Sequence, residues 1–163
     1  MSDAKITNKL FCFSKIASNN SNKTLPFPSP GIYHICVVPE HSNRVEYLAE
    51  SQVDNKLVVE EGEEKPKALF RLSYNKDGTI SLFSLALNEY VCVDTFDFNV
   101  ICFKKWGKIA KFELRQQPFG AVRLVRGSKF LSASASNGAW LTDTEAFAKL
   151  FKFIPAKPLM HEK

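Results

Sequence analysis

The residues with the clearest potential for chemistry are cations grouped around one tryptophan. Lys104, Lys105 and Lys108 flank Trp106 in a polar turn that also holds a glycine. Exposed aromatic side chains beside basic residues are common anchors at protein interfaces. The alternative is that Trp106 covers the end of the core and that the lysines are ordinary solvated charges. The candidate binding residues are Lys104, Lys105, Trp106, Lys108, Arg115, Arg123, Arg126 and Lys129.

The charge of the chain is divided unevenly along its length. Residues 100–163 hold twelve Lys or Arg and four Asp or Glu, a net charge of +8. Residues 1–99 hold ten and thirteen, a net charge of −3, and the two parts sum to +5. The basic part favours an acidic partner, which the charge alone leaves open among an acidic protein filament, a sulfated glycan, anionic lipid and nucleic acid.

Motifs for catalysis and metal binding are missing from the sequence. His34 lies in a strand pattern, His41 in a loop and His161 in the tail, and none neighbours a nucleophile motif. There is no G-x-S-x-G, glycine-rich phosphate loop or H-E-x-x-H. Residues 94–99 resemble a calcium loop but lack its glycine and bidentate glutamate, which favours a turn. The sequence predicts no enzyme, no cofactor and no metal site.

The cysteines and the apolar runs bear on the compartment. Cys12, Cys36, Cys92 and Cys102 form no C-x-x-C pair. The first residues carry no basic segment leading into an apolar one, so no conventional secretion signal is predicted. The apolar runs are far shorter than the roughly 20 residues that span a bilayer. We therefore expect reduced, mostly buried thiols, no membrane span and a cytoplasmic location.

The elements that position the cations recur along the chain. Three segments, A-L-F-R-L, A-K-F-E-L and K-L-F-K-F, are centred on Phe70, Phe112 and Phe151, which lie 42 and then 39 residues apart. Each segment alternates apolar and polar residues, which is typical of a half-buried strand. The pattern predicts an internal repeat with a period near forty.

Further landmarks precede each of these strands in the same order. A glycine opens a strand, an aromatic residue opens a second strand, and an asparagine marks the turn into a third, since asparagine tolerates positive φ. In chain order the landmarks are Gly31, Tyr47 and Asn55, then Gly78, Tyr90 and Asn99, then Gly120, Phe130 and Asn137.

Three units of four short strands predict an all-β protein. The 163 residues, 45% of them hydrophobic, are enough for one domain with its own core. A propeller has a similar period, but three blades would not close. We predict a β-trefoil with a pseudo-threefold arrangement. Its core layers would be formed by the recurring aromatic residues Tyr47, Tyr90, Phe130, Phe70, Phe112 and Phe151.

The predicted domain does not include the two ends of the chain. An N-terminal extension rich in Pro, Ser and Asn would form a linker or long loop, because proline cannot join a central strand. The predicted boundaries are 1–30 for the extension, 31–155 for the trefoil, about 31–77, 78–119 and 120–155 for its repeats, and 156–163 for the tail.

The second and third units carry a more specific set of motifs. In the second unit, N-E-Y-V, F-D-F-N-V and F-E-L follow one another between residues 88 and 114. In the third, G-A-V-R-L, K-F-L-S-A and N-G follow one another between residues 120 and 138. These motifs resemble the repeats of the fascin family of actin-crosslinking proteins. The resemblance implies an actin-binding or actin-bundling protein of the cytoplasm.

The resemblance leaves the mode of binding open. Fascins join several trefoils, whereas this chain has one, so bundling would need two actin-facing surfaces or self-association. Small actin-binding trefoils of the hisactophilin type use many surface histidines as a pH switch, and this chain has only three histidines. We therefore expect no such switch.

Other functions of a non-enzymatic binding module compete with actin binding. A polyanionic glycan such as a sulfated one fits the same basic residues. A specific protein partner, as for an inhibitor or cytokine-like trefoil, would instead use the acidic loop from Glu60 to Glu64 and the N-terminal extension. A lectin for neutral sugars is disfavoured because the chain lacks the triplet Q-x-W. Nucleic acid is disfavoured because basic and aromatic residues do not alternate along any predicted strand.

Overall fold

Short β-strands make up most of the described chain. A computed structural model describes residues 28–40, 44–51, 53–62, 68–103 and 108–156. Two 3-10 turns lie among them, at Pro118–Gly120 and Glu145–Phe147. The strands are β1 (Gly31–Val37), β2 (Glu46–Glu50), β3 (Leu57–Glu61), β4 (Phe70–Tyr74), β5 (Ile80–Ser84), β6 (Glu89–Tyr90), β7 (Cys92–Val93), β8 (Ile101–Cys102), β9 (Lys108–Ile109), β10 (Glu113–Gln116), β11 (Val122–Arg126), β12 (Lys129–Ser134), β13 (Gly138–Thr142) and β14 (Phe151–Pro155).

Six strands close into a ring by antiparallel pairing. β1 pairs with β14 and β4, β4 pairs with β5, β10 pairs with β11, and β11 meets β14. The remaining junction joins β5 to the segment that leads into β10. There, the backbone N–H groups of Ile80 and Phe112 each donate to the other residue's carbonyl oxygen, at 2.7 and 2.9 Å. Closure satisfies backbone groups that an open sheet would leave at its edges.

Three hairpins, β2–β3, β7–β8 and β12–β13, contact one another at or beside the predicted asparagine turns. The carbonyl oxygen of Asn55 accepts the N–H of Phe103 at 2.9 Å, and that of Asn99 accepts the N–H of Leu141 at 2.9 Å. The third contact brings the backbone of Gly138 close to β3. The asparagine turns therefore join successive hairpins as well as closing them.

The phenylalanines of the repeated F-centred segments fill the core, as predicted. Phe70, Phe112 and Phe151 are all fully buried. The ring of Phe70 also stacks on that of Phe103, with the centroids 6.4 Å apart. Burial of such large side chains is the main favourable contribution to folding.

The other predicted core layer, formed by the aromatic residues that open the second strands, is wrong. Tyr47 and Phe130 are half-buried, and Tyr90 is 39% exposed. Successive side chains on a strand point to opposite faces, so an inward neighbour forces these aromatic residues outward. The inward positions are held by Leu48, Val91 and Leu131.

The structure bears on the other sequence predictions to different extents. Cys36, Cys92 and Cys102 are buried and joined by no disulfide, as expected, while Cys12 lies outside the described residues. Within the described part of the chain, no helix has the length and apolar character to cross a membrane. Most of the predicted N-terminal extension and tail also lies outside that part, and the repeat boundaries stay a prediction.

Candidate functional site

Five of the eight predicted binding residues are described, and they lie on strands β9 to β12. Arg115 of β10 is directly opposite Arg123 of β11. Arg126 of β11 is directly opposite Lys129 of β12, and Lys108 is exposed on β9. The structure thus brings four of the predicted cations into two cross-strand pairs. The other three predicted residues, Lys104, Lys105 and Trp106, lie outside the described residues.

The Arg115 and Arg123 pair is partly neutralised by acidic neighbours. Arg115 lies 3.3 Å from the carboxylate of Glu113. Arg123 forms an ion pair with Glu145, and its guanidinium carbon lies 6.0 Å from the centre of the Phe130 ring. Such surface pairs contribute about 0–1 kcal/mol. They lower the local positive potential more than they stabilise the fold.

The Arg126 and Lys129 pair has its acidic neighbour on the Lys129 side. The ammonium of Lys129 donates to the side-chain oxygen of Asn99 and lies 3.7 Å from Asp143. The Nε of Arg126 is buried and has no hydrogen-bond partner among the described residues. Because this Nε is buried, as is the Nε of Arg123, Arg126 would contact a ligand only through its two terminal nitrogens.

A second surface crosses three neighbouring strands and the segment beside them. Arg71 of β4 is directly opposite Phe83 of β5, and Phe83 is directly opposite Tyr90 of β6. Lys111 lies beside these residues, because its neighbours Ala110 and Phe112 donate backbone N–H groups to the carbonyl oxygens of Val91 and Ile80. We call Arg71, Phe83, Tyr90 and Lys111 the cation–aromatic row.

Contacts within the cation–aromatic row hold its aromatic side chains in place. The rings of Phe83 and Tyr90 meet edge to face, with centroids 4.9 Å apart and planes at 73°. The guanidinium of Arg71 lies 5.2 Å from the centre of the Phe83 ring, a cation–π geometry. Because Arg71, Tyr90 and Lys111 are exposed, a ligand can reach cations and rings together.

Asp77 adds a fixed negative charge near the end of this row. Its carboxylate accepts hydrogen bonds from the hydroxyl of Thr79 at 2.6 Å and from the Thr79 N–H at 3.0 Å. These bonds, followed by a smaller effect of Lys111, lower the pKa of Asp77. Asp77 is therefore ionised at neutral pH and moderates the charge of Lys111.

The turn between β7 and β8, residues 94–99, exposes two aromatic side chains. Phe96 is 91% exposed and Phe98 is 69% exposed. We call this turn the aromatic loop. Large apolar side chains so far exposed are uncommon on a soluble domain and mark interaction surfaces when they occur together.

The backbone of the aromatic loop is fixed by its own carboxylates. The side chain of Asp94 accepts the N–H groups of Phe96 at 2.7 Å and Asp97 at 3.4 Å. The side chain of Asp97 accepts the N–H of Asn99 at 3.1 Å, and its carbonyl oxygen accepts the N–H of Val100 at 3.0 Å. The segment is thus a hydrogen-bonded turn, as predicted, and it holds both phenylalanines in a defined position.

Both of these surfaces escape prediction from the sequence for identifiable reasons. The repeat pattern predicts Tyr90 in the core, although the apolar Val91 beside it can equally take the inward position. The turn at residues 94–99 is predicted, but the exposure of Phe96 and Phe98 is not, because phenylalanine is usually buried. The useful signal was an Asp on each side of Phe96, since Asp side chains fold back onto the backbone of turns.

Comparisons with known proteins identify the fold. No family model matches the chain, and no curated protein sequence matches it. A GlcNAcα1-4Gal-releasing endo-β-galactosidase from Clostridium perfringens superposes with a TM-score of 0.60 at 16% identity, over 77% of this chain and 32% of that one. Hisactophilin, described as similar to interleukin-1 beta and fibroblast growth factor, superposes with a TM-score of 0.52 at 14% identity, over 77% of this chain and 99% of that one.

The galactosidase match contradicts the prediction that the chain is not an enzyme. That prediction rested on missing catalytic motifs, and a fold shared with part of a glycosidase removes the ground for excluding catalysis. The chain spans 32% of the length of that enzyme, and at 16% identity the match shows the fold alone.

The two superpositions also bear on the fold and family predictions. No family model supports a fascin-like protein in particular, so that resemblance stays a prediction. The hisactophilin match agrees with the closed ring of six strands and its three joined hairpins. The chain is an all-β protein with the β-trefoil fold, as its repeats predict.

Proposed function

We propose that the chain is a binding module for an acidic protein surface, with filamentous actin as the partner. The observation that carries the proposal is the charge of strands β9 to β12. Residues 108–130 hold six Lys or Arg and one Glu. The resemblance of the second and third units to fascin repeats supports actin as the acidic surface, and a cytoplasmic location follows from that partner.

The arrangement of these cations suits a broad protein surface. Arg115 and Arg123 form a pair across β10 and β11, and Arg126 and Lys129 form a pair across β11 and β12, so the charge is spread over three strands. Spread charge of one sign steers an oppositely charged partner and fixes its orientation. The exposed Lys108 and Arg115 are the cations that we expect to contribute most directly.

Charge reversal on this surface tests the proposal. We expect Lys108→Glu with Arg115→Glu to weaken co-sedimentation with filamentous actin by about tenfold or more, because each change replaces attraction by repulsion. Thermal unfolding should change little, since both side chains are exposed. The matched control is Lys56→Glu with Lys76→Glu, which makes the same charge change at exposed sites elsewhere. Equal binding by both double variants would exclude the β9–β12 surface.

A sulfated glycan is the second candidate ligand. The superposed galactosidase releases a disaccharide from a glycan, and the cations of β10 to β12 suit sulfate groups. A glycan array that carries sulfated and neutral ligands separates the two candidates. Binding to sulfated ligands without binding to actin would favour the glycan.

A further inference from the structure

We propose that the chain forms a twofold dimer in which the aromatic loop of each copy packs on the cation–aromatic row of the other. The proposal rests on two surfaces of the described chain. Both carry aromatic side chains that can pack together, and the two surfaces carry opposite charges. It does not depend on the proposed function, because neither surface uses the cation pairs of β10 to β12.

The aromatic loop has the properties of an anchor. Phe96 and Phe98 expose most of their side chains, yet the loop backbone is held by four internal hydrogen bonds. Those bonds satisfy the N–H groups that would otherwise lose water on burial. A preorganised loop also loses little conformational entropy when it docks. Burial of its two rings is therefore favourable at small cost.

The other two hairpin turns make the aromatic loop distinctive. The corresponding turn between β2 and β3 exposes Val53, and the turn between β12 and β13 consists of Ala135, Ser136 and Asn137. Neither turn carries an aromatic side chain among its described residues. The aromatic pair thus occurs in only one of the three hairpin turns. If the fold required exposed aromatic residues in these turns, all three turns would carry them, so the pair is better explained by a specific contact.

The cation–aromatic row has an apolar surface and positive charges that match the aromatic loop. Phe83 and Tyr90 form an apolar surface on which phenylalanine rings can pack edge to face or offset. Arg71 and Lys111 flank that surface with positive charge, and the loop carries the exposed carboxylate of Asp97 between its two phenylalanines. Opposite charges around an apolar centre are the usual pattern of a protein interface.

The spacing of the two surfaces favours a closed pair of copies. Tyr90 in the row and Phe96 in the loop are six residues apart, so they lie within about 20 Å of each other. Loop and row therefore fit inside a single interface. Under a twofold axis each loop then meets the partner's row, and the assembly closes at two copies.

The size of the contact and the few aromatic anchors in it suggest a weak, reversible association. A buried phenylalanine covers about 150–250 Å². Two loops and two rows together cover on the order of 1,000–1,500 Å², near the lower end of stable interfaces. We expect a reversible dimer with a dissociation constant in the range of about 1–100 μM.

Sedimentation equilibrium of the full chain, from low to high micromolar concentration, tests the dimer directly. We expect a monomer–dimer equilibrium for the unmodified chain. Phe96→Ser with Phe98→Ser should raise the dissociation constant at least about tenfold. Phe147→Ser is the matched control, because it removes an exposed phenylalanine from the third unit. It should leave the dissociation constant unchanged, and all these variants should keep the melting temperature.

Charge variants test the orientation of the contact. Asp97→Asn keeps an oxygen that can accept the Asn99 N–H and should weaken the dimer a few-fold. Arg71→Glu with Lys111→Glu should weaken it more, and adding Asp97→Lys should restore part of the loss. A monomer at every concentration would overturn the proposal, as would a dimer indifferent to the loop and row variants. An open series of larger species would overturn the twofold arrangement.

Discussion

Replacing Phe112 by alanine is expected to lower the free energy of unfolding by about 3–5 kcal/mol. The side chain of Phe112 is fully buried in the core. Its backbone forms the mutual hydrogen bonds with Ile80 that join β5 to the segment leading into β10. Loss of the ring leaves a cavity beside this junction, which is made by a single residue pair instead of a long ladder.

Chemical denaturation of the two proteins measures this effect. The control is Phe147→Ala, which removes the same ring from a largely exposed position and should change the unfolding free energy by less than about 0.5 kcal/mol. A loss below about 1 kcal/mol for Phe112→Ala would contradict a fully buried core position.

Replacing Gly138 by alanine is expected to destabilise the fold by about 2–3 kcal/mol. Gly138 has a φ of +74°, a conformation that costs a side chain about 1–2 kcal/mol. A Cβ atom there would also lie 3.2 Å from the backbone carbonyl oxygen of Leu57 on the neighbouring hairpin. Since that oxygen belongs to the backbone, it cannot move aside cheaply.

Gly127→Ala separates these two contributions. Gly127 has a similar φ of +64°, but a Cβ atom there would meet nothing within 4 Å. We therefore expect Gly127→Ala to cost only the conformational part, about 1–2 kcal/mol. The difference between the two substitutions measures how closely β13 approaches β3. Equal losses would show that the hairpins are not packed as described.

The repeat pattern predicted the buried phenylalanines of the core because the alternation of polarity along a strand determines which face is buried. The segments around Phe70, Phe112 and Phe151 alternate in polarity, and an alternating strand can bury only one of its faces. The same logic failed at Tyr90, where two adjacent apolar residues compete for the inward position. Packing against the neighbouring strand decided in favour of Val91, and no local signal reveals that choice.

The candidate surfaces were harder to predict because they join residues that are distant in the sequence. Arg71 and Lys111 belong to different predicted repeats and come to one surface only through contacts between distant segments. The relative positions of the predicted basic residues were also hard to predict, because they depend on the register of β10 to β12. The acidic partner of Arg123 comes from a 3-10 turn that follows β13, which the sequence does not place near Arg123.

The exposure of the aromatic loop depends on its turn geometry. Composition alone assigns Phe96 and Phe98 to the interior, since phenylalanine is among the most buried residue types. Asp94 and Asp97 override that tendency by accepting backbone N–H groups, which closes a turn and leaves both rings outside. The residues that indicate the exposure of both rings are therefore Asp94 and Asp97, and not the phenylalanines themselves.

Co-sedimentation of the purified chain with filamentous actin, at low and at physiological salt, tests the central proposal most directly. We predict that the chain pellets with the filaments under both conditions and more strongly at low salt, because screening weakens the contact of the β9–β12 cations with the acidic filament. A chain that stays in the supernatant under both conditions would contradict actin binding.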